Sequence, residues 1–398
     1  MYYSNQRLKT YTRKTKLLLS SLTLAFSGIA IAVPLITVAI NNTCTLTGFY
    51  QNGIEMSAQY YNPTTPVTGV VNAGCNTGVF FGPGSTGTVN GATISGNQDY
   101  GIIVEGANVT VENSSITNTG IAPIDNPNSV AIFYANLTGG TAPPVFTTTT
   151  NGVCTTTTTT GTITNNSISG YGGNAIEATC PGTTTTITNN IIQGQGAQSA
   201  YPTNGVDVND GASATITGNV VSDNSYNGTQ QAVGTGIEVQ GGAGWNEAYT
   251  TTIKITNNII IGNDVGIWLS NVSSCSGTCV ASTTPTNITV ENNTIENGEL
   301  NNIAGDNDIS LPTVGYQAGV ADQGDADTIA NNTISGAGYN SADSSPTIVI
   351  LSIDTSLTNN VVLTAPSSNP TTPPTTPPNY HGFPYFNHGR FNFRGRGN

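Results

Sequence analysis

Charge is scarce in this chain of 398 residues, at 8%, and positive charge is almost missing from its middle. Of nine lysines and arginines, Arg7, Lys9, Arg13, Lys14 and Lys16 precede Leu17, and Arg390, Arg394 and Arg396 lie near the far end. Lys254 alone stands between them, against 22 acids that all fall between Glu55 and Asp354, so this body carries a net −21. Such a surface repels phosphates, which excludes nucleic acid as its partner. The body also has no arginine and no histidine, since His381 and His388 are both in the tail. No Ser/His/Asp set, histidine-centred metal cluster or P-loop can therefore be assembled. Only carboxylate pairs remain for acid–base chemistry. An acidic habitat is one reading of this composition, because there carboxylates are neutralised and added cations would repel one another.

What the chain has in abundance is one hexapeptide. It reads ITNNSI at Ile163–Ile168, ITNNII at Ile187–Ile192, ITGNVV at Ile216–Val221, ITNNII again from Ile255, VENNTI at Val290–Ile295, IANNTI at Ile329–Ile334 and LTNNVV at Leu357–Val362. VNGATI at Val89–Ile94 and VENSSI at Val111–Ile116 are looser copies. A fixed local pattern with variable gaps is the mark of stacked repeats joined by loops of different length. The period inside each copy is 2 and the residues are β-branched, so each copy is strand–turn–strand. A third short strand follows as GIIV at Gly101–Val104, GVDV at Gly205–Val208, GIEV at Gly236–Val239 and GIWL at Gly266–Leu269.

Three strands and three turns per repeat leave one face bare if laid flat. Coiled upon themselves, they bury one face of every strand around a common axis, with Ile255, Ile260, Ile267 and Leu269 inward. The expected fold is all-β, a right-handed parallel β-helix of about nine coils, which at ~4.8 Å per strand spacing extends for roughly 43 Å. Asparagine tolerates the left-handed backbone needed at the bends. A buried amide is costly unless paired, and stacking Asn166, Asn190, Asn219, Asn258, Asn293, Asn332 and Asn360 as an internal ladder satisfies each from the coils above and below.

With this pattern the chain resembles the pectin-lyase-like right-handed β-helix repeat proteins over roughly Val89 to Val362. The resemblance implies the fold far more than the activity, since that superfamily hosts lyases, hydrolases, epimerases, tailspikes and adhesins. Its lyases use Arg or Lys as base and clamp, its pectin hydrolases an Asp motif with a neighbouring His and an R-x-K element, and its alginate epimerases a His motif. The body of this chain matches none of these.

Residues 1–40 read as a targeting segment: a basic start, an apolar run from Leu17 to Ile40 and an Ala30-x-Ala32 site, cleaved as a signal peptide or retained as an anchor. Either way the body, residues 41–364, lies outside the cytoplasm, secreted or at the cell surface, and touches membrane only through that segment. Residues 365–378 form a Pro/Thr-rich linker. Residues 379–398 are an aromatic, Gly- and Arg-rich tail that forms no core of its own, read as a disordered tail or as an anchor whose groups bind acidic neighbours, glycans or an envelope polymer. The six cysteines form an even set in an exported chain. Cys275 and Cys279 close a short loop, Cys154 and Cys180 flank one repeat, and Cys44 and Cys75 bracket the start of the first coil. Zinc, the rival reading, lacks a histidine in the body. Ten N-x-[S/T] sequons, among them Asn108, Asn136, Asn227 and Asn271, would admit glycosylation.

Alternation nominates a binding column. If Ile176, Val206, Ile237 and Ile267 point inward, then Glu177, Asp207, Glu238 and Trp268 point outward at one position of four successive coils, with Phe133 one repeat earlier. The carboxylates are candidates for catalysis by a glycosidase-type pair. All five residues are candidates for glycan binding and the acids also for Ca²⁺; a solvated polar face is the plain alternative. A second acidic group, Asp306, Asp308, Asp322, Asp325 and Asp327, lacks EF-hand spacing and reads as a solvated acidic loop, with an oxygen-ligand site for Ca²⁺ as the alternative. No cofactor is required by this reading, and Ca²⁺ is the one candidate ion. The function expected is a non-catalytic surface or scaffold protein presenting a rigid acidic face to glycans, Ca²⁺ or partners, with a polysaccharide-active enzyme as the alternative. Non-reducing mass spectrometry of the mature protein should find no free thiol and a Cys275–Cys279 bridge; two free thiols at those positions would overturn the disulfide reading.

Overall fold

The computed structural model describes residues 44–51, 54–71, 74–97, 99–120, 129–137, 154–228, 233–276, 278–298, 317–336, 348–350 and 354–363. The targeting segment, the linker, the tail, and Asp306 and Asp308 lie outside them.

Neighbouring strands are far apart in sequence and parallel in space. Ile54–Tyr61, Thr77–Phe81, Tyr100–Glu105, Val130–Ala135, Asn174–Thr179, Asn204–Asn209, Thr235–Gly241, Val265–Ser276, Ala318–Asp322 and Ile348–Ile350 follow one another in a single twelve-stranded sheet. The hexapeptide supplies the other walls, an eighteen-stranded assembly with one strand on each side of the paired asparagines, as in Thr183–Thr188 and Ile191–Gln198. Each coil is thus three strands and three bends, a right-handed parallel β-helix. The described coils agree with the nine or so expected.

The register stacks like upon like. Ile132, Ile176, Val206, Ile237, Ile267 and Val320 pair in sequence along the first wall. Val111, Ile163, Ile187, Ile216, Ile255, Val290 and Ile329 do so along the second. All of these are fully buried, as are Ile260 and Leu269, and they share one continuous core. The glycine of each G-I-x-V strand has a steric cause. A Cβ on Gly205, Gly236 or Gly266 would lie 2.5 to 2.6 Å from a backbone carbonyl oxygen of the next coil.

The two asparagines of each repeat divide the work. The first takes the left-handed bend, with φ of 55° at Asn165, 54° at Asn189, 57° at Asn257 and Asn292, 56° at Asn331 and 53° at Asn359; Gly218 replaces it once, at 68°. The second forms the ladder. Asn166 Nδ2 donates to Asn190 Oδ1 at 3.0 Å, and the same bond recurs from Asn190 to Asn219, Asn219 to Asn258, Asn258 to Asn293, Asn293 to Asn332 and Asn332 to Asn360, at 2.9 to 3.0 Å. Each Oδ1 also accepts the backbone N–H of the preceding ladder asparagine, and each Nδ2 also donates to a backbone carbonyl, as Asn258 does to Ile216. Ser114 extends the row, donating its backbone N–H to Asn166 Oδ1 and accepting that of Ala92. A shorter second ladder at another bend was not foreseen: Asn224 Nδ2 donates to Asn263 Oδ1 at 2.9 Å, and Asn297 Nδ2 to the Asn263 carbonyl at 2.9 Å.

All six cysteines are oxidised, as Cys44–Cys75, Cys154–Cys180 and Cys275–Cys279. An antiparallel hairpin, Leu46–Gln51 with Ile54–Tyr61, covers the first coil of the large sheet, and the first disulfide ties its base to the next coil. Thr159–Thr164, the end of the Thr-rich excursion, is a strand in register with Thr183–Thr188; residues 138–153 lie outside the described residues.

Replacing Asn258 by leucine removes the side-chain partners of the Asn219 N–H and the Ile216 carbonyl and leaves Asn219 Nδ2 with backbone carbonyls alone. Denaturant unfolding should register a loss on the order of 4 kcal/mol, from about 1–3 kcal/mol for each buried group left unmet. A loss below about 1 kcal/mol would mean that the row contributes no more than an ordinary exposed position.

Candidate functional site

The nominated column forms in the register expected. Phe133 pairs with Glu177, Glu177 with Asp207, Asp207 with Glu238 and Glu238 with Trp268. Its environment differs from the expectation. Glu177, Asp207, Glu238 and Trp268 are only 7%, 1%, 4% and 5% exposed, so the column is not an open solvated face. The reason lies in the strands themselves: Asn174–Thr179, Asn204–Asn209 and Thr235–Gly241 are buried at every position, inner and outer. Segments between coils fold over the outer face of this sheet. One of them, residues 242–250, is anchored by Trp245, whose Nε1–H donates to the Ser270 carbonyl at 2.9 Å, and by Glu247, which accepts from Gln240 Nε2 at 3.1 Å.

The aromatic ends of the column belong to apolar packing. Phe133 lies against Tyr100, ring centroids 5.4 Å apart. Trp268 packs with Val233, Val265, Ala318 and Ala321, and its Nε1–H donates to Gln323 Oε1 at 3.0 Å. Neither ring is available as an open plate for a sugar, which corrects that part of the expectation.

Between them the carboxylates are held by amides. Asn174 Nδ2 donates to Glu177 Oε2 at 3.0 Å and to Asp207 Oδ2 at 3.2 Å. Asn209 Nδ2 donates to Asp207 Oδ2 at 2.8 Å, and Asn204 Nδ2 to Glu238 Oε2 at 3.0 Å. Lys254, the one basic residue among the described residues, stands exposed on the other assembly. Burial pushes the Glu177 carboxyl up, against the pull of its Asn174 and Asn209 hydrogen bonds. Asp207 is pushed further, by burial first and then by the charges of Glu238 and Glu177. Glu247, half-buried beside them, is raised to about 8, again by desolvation before the charges of Asp210 and Glu177.

Of the second acidic group, Asp322, Asp325 and Asp327 are described, and all three are buried. Asp322 accepts from Thr355 Oγ1 at 2.5 Å and the Gly324 N–H at 2.8 Å; Asp327 accepts from Thr286 Oγ1 at 2.7 Å and the Ile288 N–H at 2.6 Å. Burial raises both carboxyls, and Asp327, with the charge of Asp322 beside it, reaches about 8. Among the described residues, neither acidic group brings three carboxylate oxygens within 4.8 Å of one another; Cys154, Cys180 and Asp210 do gather so closely, but those two sulfurs form a disulfide.

The family model described as right handed beta helix region matches residues 144–278. That match covers about a third of the chain, and the right-handed β-helix described above runs beyond it on both sides. Among solved structures, this β-helix is similar to a tailspike protein mutant of E. coli bacteriophage HK620, at 10% identity and a TM-score of 0.39, over 78% of this chain and 55% of that one. The chain thus spans about half the length of that tailspike chain. A comparison with curated proteins returns no match.

Sequence reasoning paired the column correctly and missed Gln240, at the end of the strand Thr235–Gly241, and Trp245 and Glu247, which lie in a loop outside the repeat. The second ladder did leave a signal, an asparagine three residues after the core position in VSDN and IIGN and two after it in IEN.

These carboxyls bind protons more tightly folded than unfolded. Their contribution is complete below about pH 4, near the ordinary values of 3.8 and 4.5, and is lost as pH rises toward about 8. The thermal midpoint should therefore fall steadily from pH 4 to pH 8, and Glu247→Gln with Asp327→Asn should flatten that slope. A midpoint that rises over this range would contradict the assignment.

Proposed function

We propose that this β-helix is an exported, non-catalytic surface protein that presents the outer face of its eighteen-stranded assembly to polysaccharide. The observation that carries the reading is the contrast between the two outer faces. Glu177, Asp207 and Glu238, the carboxylates nominated for catalysis, are buried under loops and held by amides. The other face is accessible: the strands before the paired asparagines present mainly threonines, and those after them also expose Ile191, Ile259 and Ile261. Thr88, Thr110, Thr162, Thr186 and Thr215 stand in one column through five coils. Beside them Thr188 Oγ1 donates to Thr164 Oγ1, and Thr256 Oγ1 to Thr217 Oγ1, both at 3.0 Å. Hydroxyls both donate and accept, and parallel stacking repeats them every ~4.8 Å. An extended glycan, itself a row of hydroxyls, matches such a face without requiring charge.

The alternative is a polysaccharide-active enzyme using Glu177, Asp207 or Glu238, and a glycan panel separates the two. The expected result is binding without release of reducing sugar, weakened about tenfold, or about 1.4 kcal/mol, by Thr162→Lys with Thr186→Lys, and unchanged by Asp207→Asn, with or without Ca²⁺. Reducing-sugar release that Asp207→Asn abolishes would replace this reading with the enzymatic one.

A further inference from the structure

The two ends of the coil are finished differently. At the first, an antiparallel hairpin and the Cys44–Cys75 disulfide close the stack. At the other, among the described residues, Ser356–Thr358 and Val361–Leu363 pair on one side only, with Thr328–Ala330 and Thr333–Ser335. Leu357 and Val362 are in register with the core residues Ile329 and Ile334, which are fully buried, yet they are 52% and 38% exposed. Val361 and Leu363 are exposed as well. Asn360 is the last rung of the ladder among the described residues. A strand edge over an apolar interior invites pairing, and repeat proteins cover it.

Two occupants are available. A second copy would bring one body of net −21 against another. Head-to-tail stacking would also meet the antiparallel hairpin rather than a parallel edge. The chain's own continuation starts at Thr364, one residue past the last strand. Residues 379–398 contain Arg390, Arg394 and Arg396 and no acid, which complements the body. In RFNFR, Phe391 and Phe393 have the spacing that places both rings on one side of an extended strand. The proline-rich stretch 370–378 spans about 28 Å at ~3.1 Å per residue, and proline, lacking an N–H, can border an edge without extending it.

We propose that residues 379–398 fold back onto the open edge made by Ser356–Thr358 and Val361–Leu363, with Phe391 and Phe393 over Leu357 and Val362 and the arginines toward the acidic body. The cap is intramolecular, and it is independent of what the threonine face binds. The test compares the mature full chain with a version lacking 379–398 and with the double variant Phe391→Ser, Phe393→Ser, by amide hydrogen exchange across 356–363 and by light scattering. Protection of these amides should fall about tenfold or more in both variants, and a synthetic peptide of residues 379–398 should restore it to the deletion, or suppress aggregation if the deletion aggregates. Unchanged protection in both variants would overturn the proposal. So would a peptide without effect on the deletion, or protection in the full chain that disappears on dilution together with a dimer mass, which would assign the edge to a second copy.

Discussion

An amide in a dry interior must meet another hydrogen-bonding group, and the architecture depends on that requirement. Each ladder asparagine satisfies it with atoms of the coils on either side, so a slip of one residue in any coil would strand several polar groups at once and turn the apolar positions outward. The isoleucine columns supply the bulk of the burial, but apolar contact is tolerant of small shifts. Fixed register, and with it the alignment of every outward column, comes from the asparagines. The bend residue beside each one is part of the same constraint: Asn257 at φ 57° is what turns Asn258 into the stack.

The fold was legible because its rules are local and repeated. Period-2 alternation placed Ile255, Ile260, Ile267 and Leu269 inward, and all four are buried. It also set Glu177, Asp207, Glu238 and Trp268 in one column, and they pair so. The same alternation was silent on exposure. Whether an outward residue meets water depends on loops between coils, and segments such as 242–250 carry no periodic signal. Trp268 shows the difficulty: outward in the pleat, it donates to Gln323, a residue 55 positions away. The repeat also singled out the second asparagine of each pair as the ladder member, and the bonds from Asn166 to Asn360 follow it, while the first takes the positive φ.

The absence of basic residues and the burial of acids are one physical fact seen at two levels. A carboxylate removed from water needs a cation, a proton or several donors. Lys254 being remote, the chain supplies donors from Asn174, Asn204, Asn209 and Gln240 and leaves the rest to protons. Acid unfolds many proteins because their carboxylates are ionised and paired in the native state; here burial pushes Glu177, Asp207, Glu247, Asp322 and Asp327 the other way, so for these groups a rise in pH is the stress.

The ladder bonds all run in one sense, each Nδ2 donating toward the C-terminal coil. The residues they join are 24, 29, 39, 35, 39 and 28 positions apart. The geometry at the rung is therefore indifferent to how much chain lies between rungs. A duplicated coil would enter such a row with its donor and acceptor already facing the right way, and an insertion in a loop would not disturb it. Length in this molecule can be inherited as whole units, so a gene growing by unequal crossing-over would still encode a hydrogen-bonded interior.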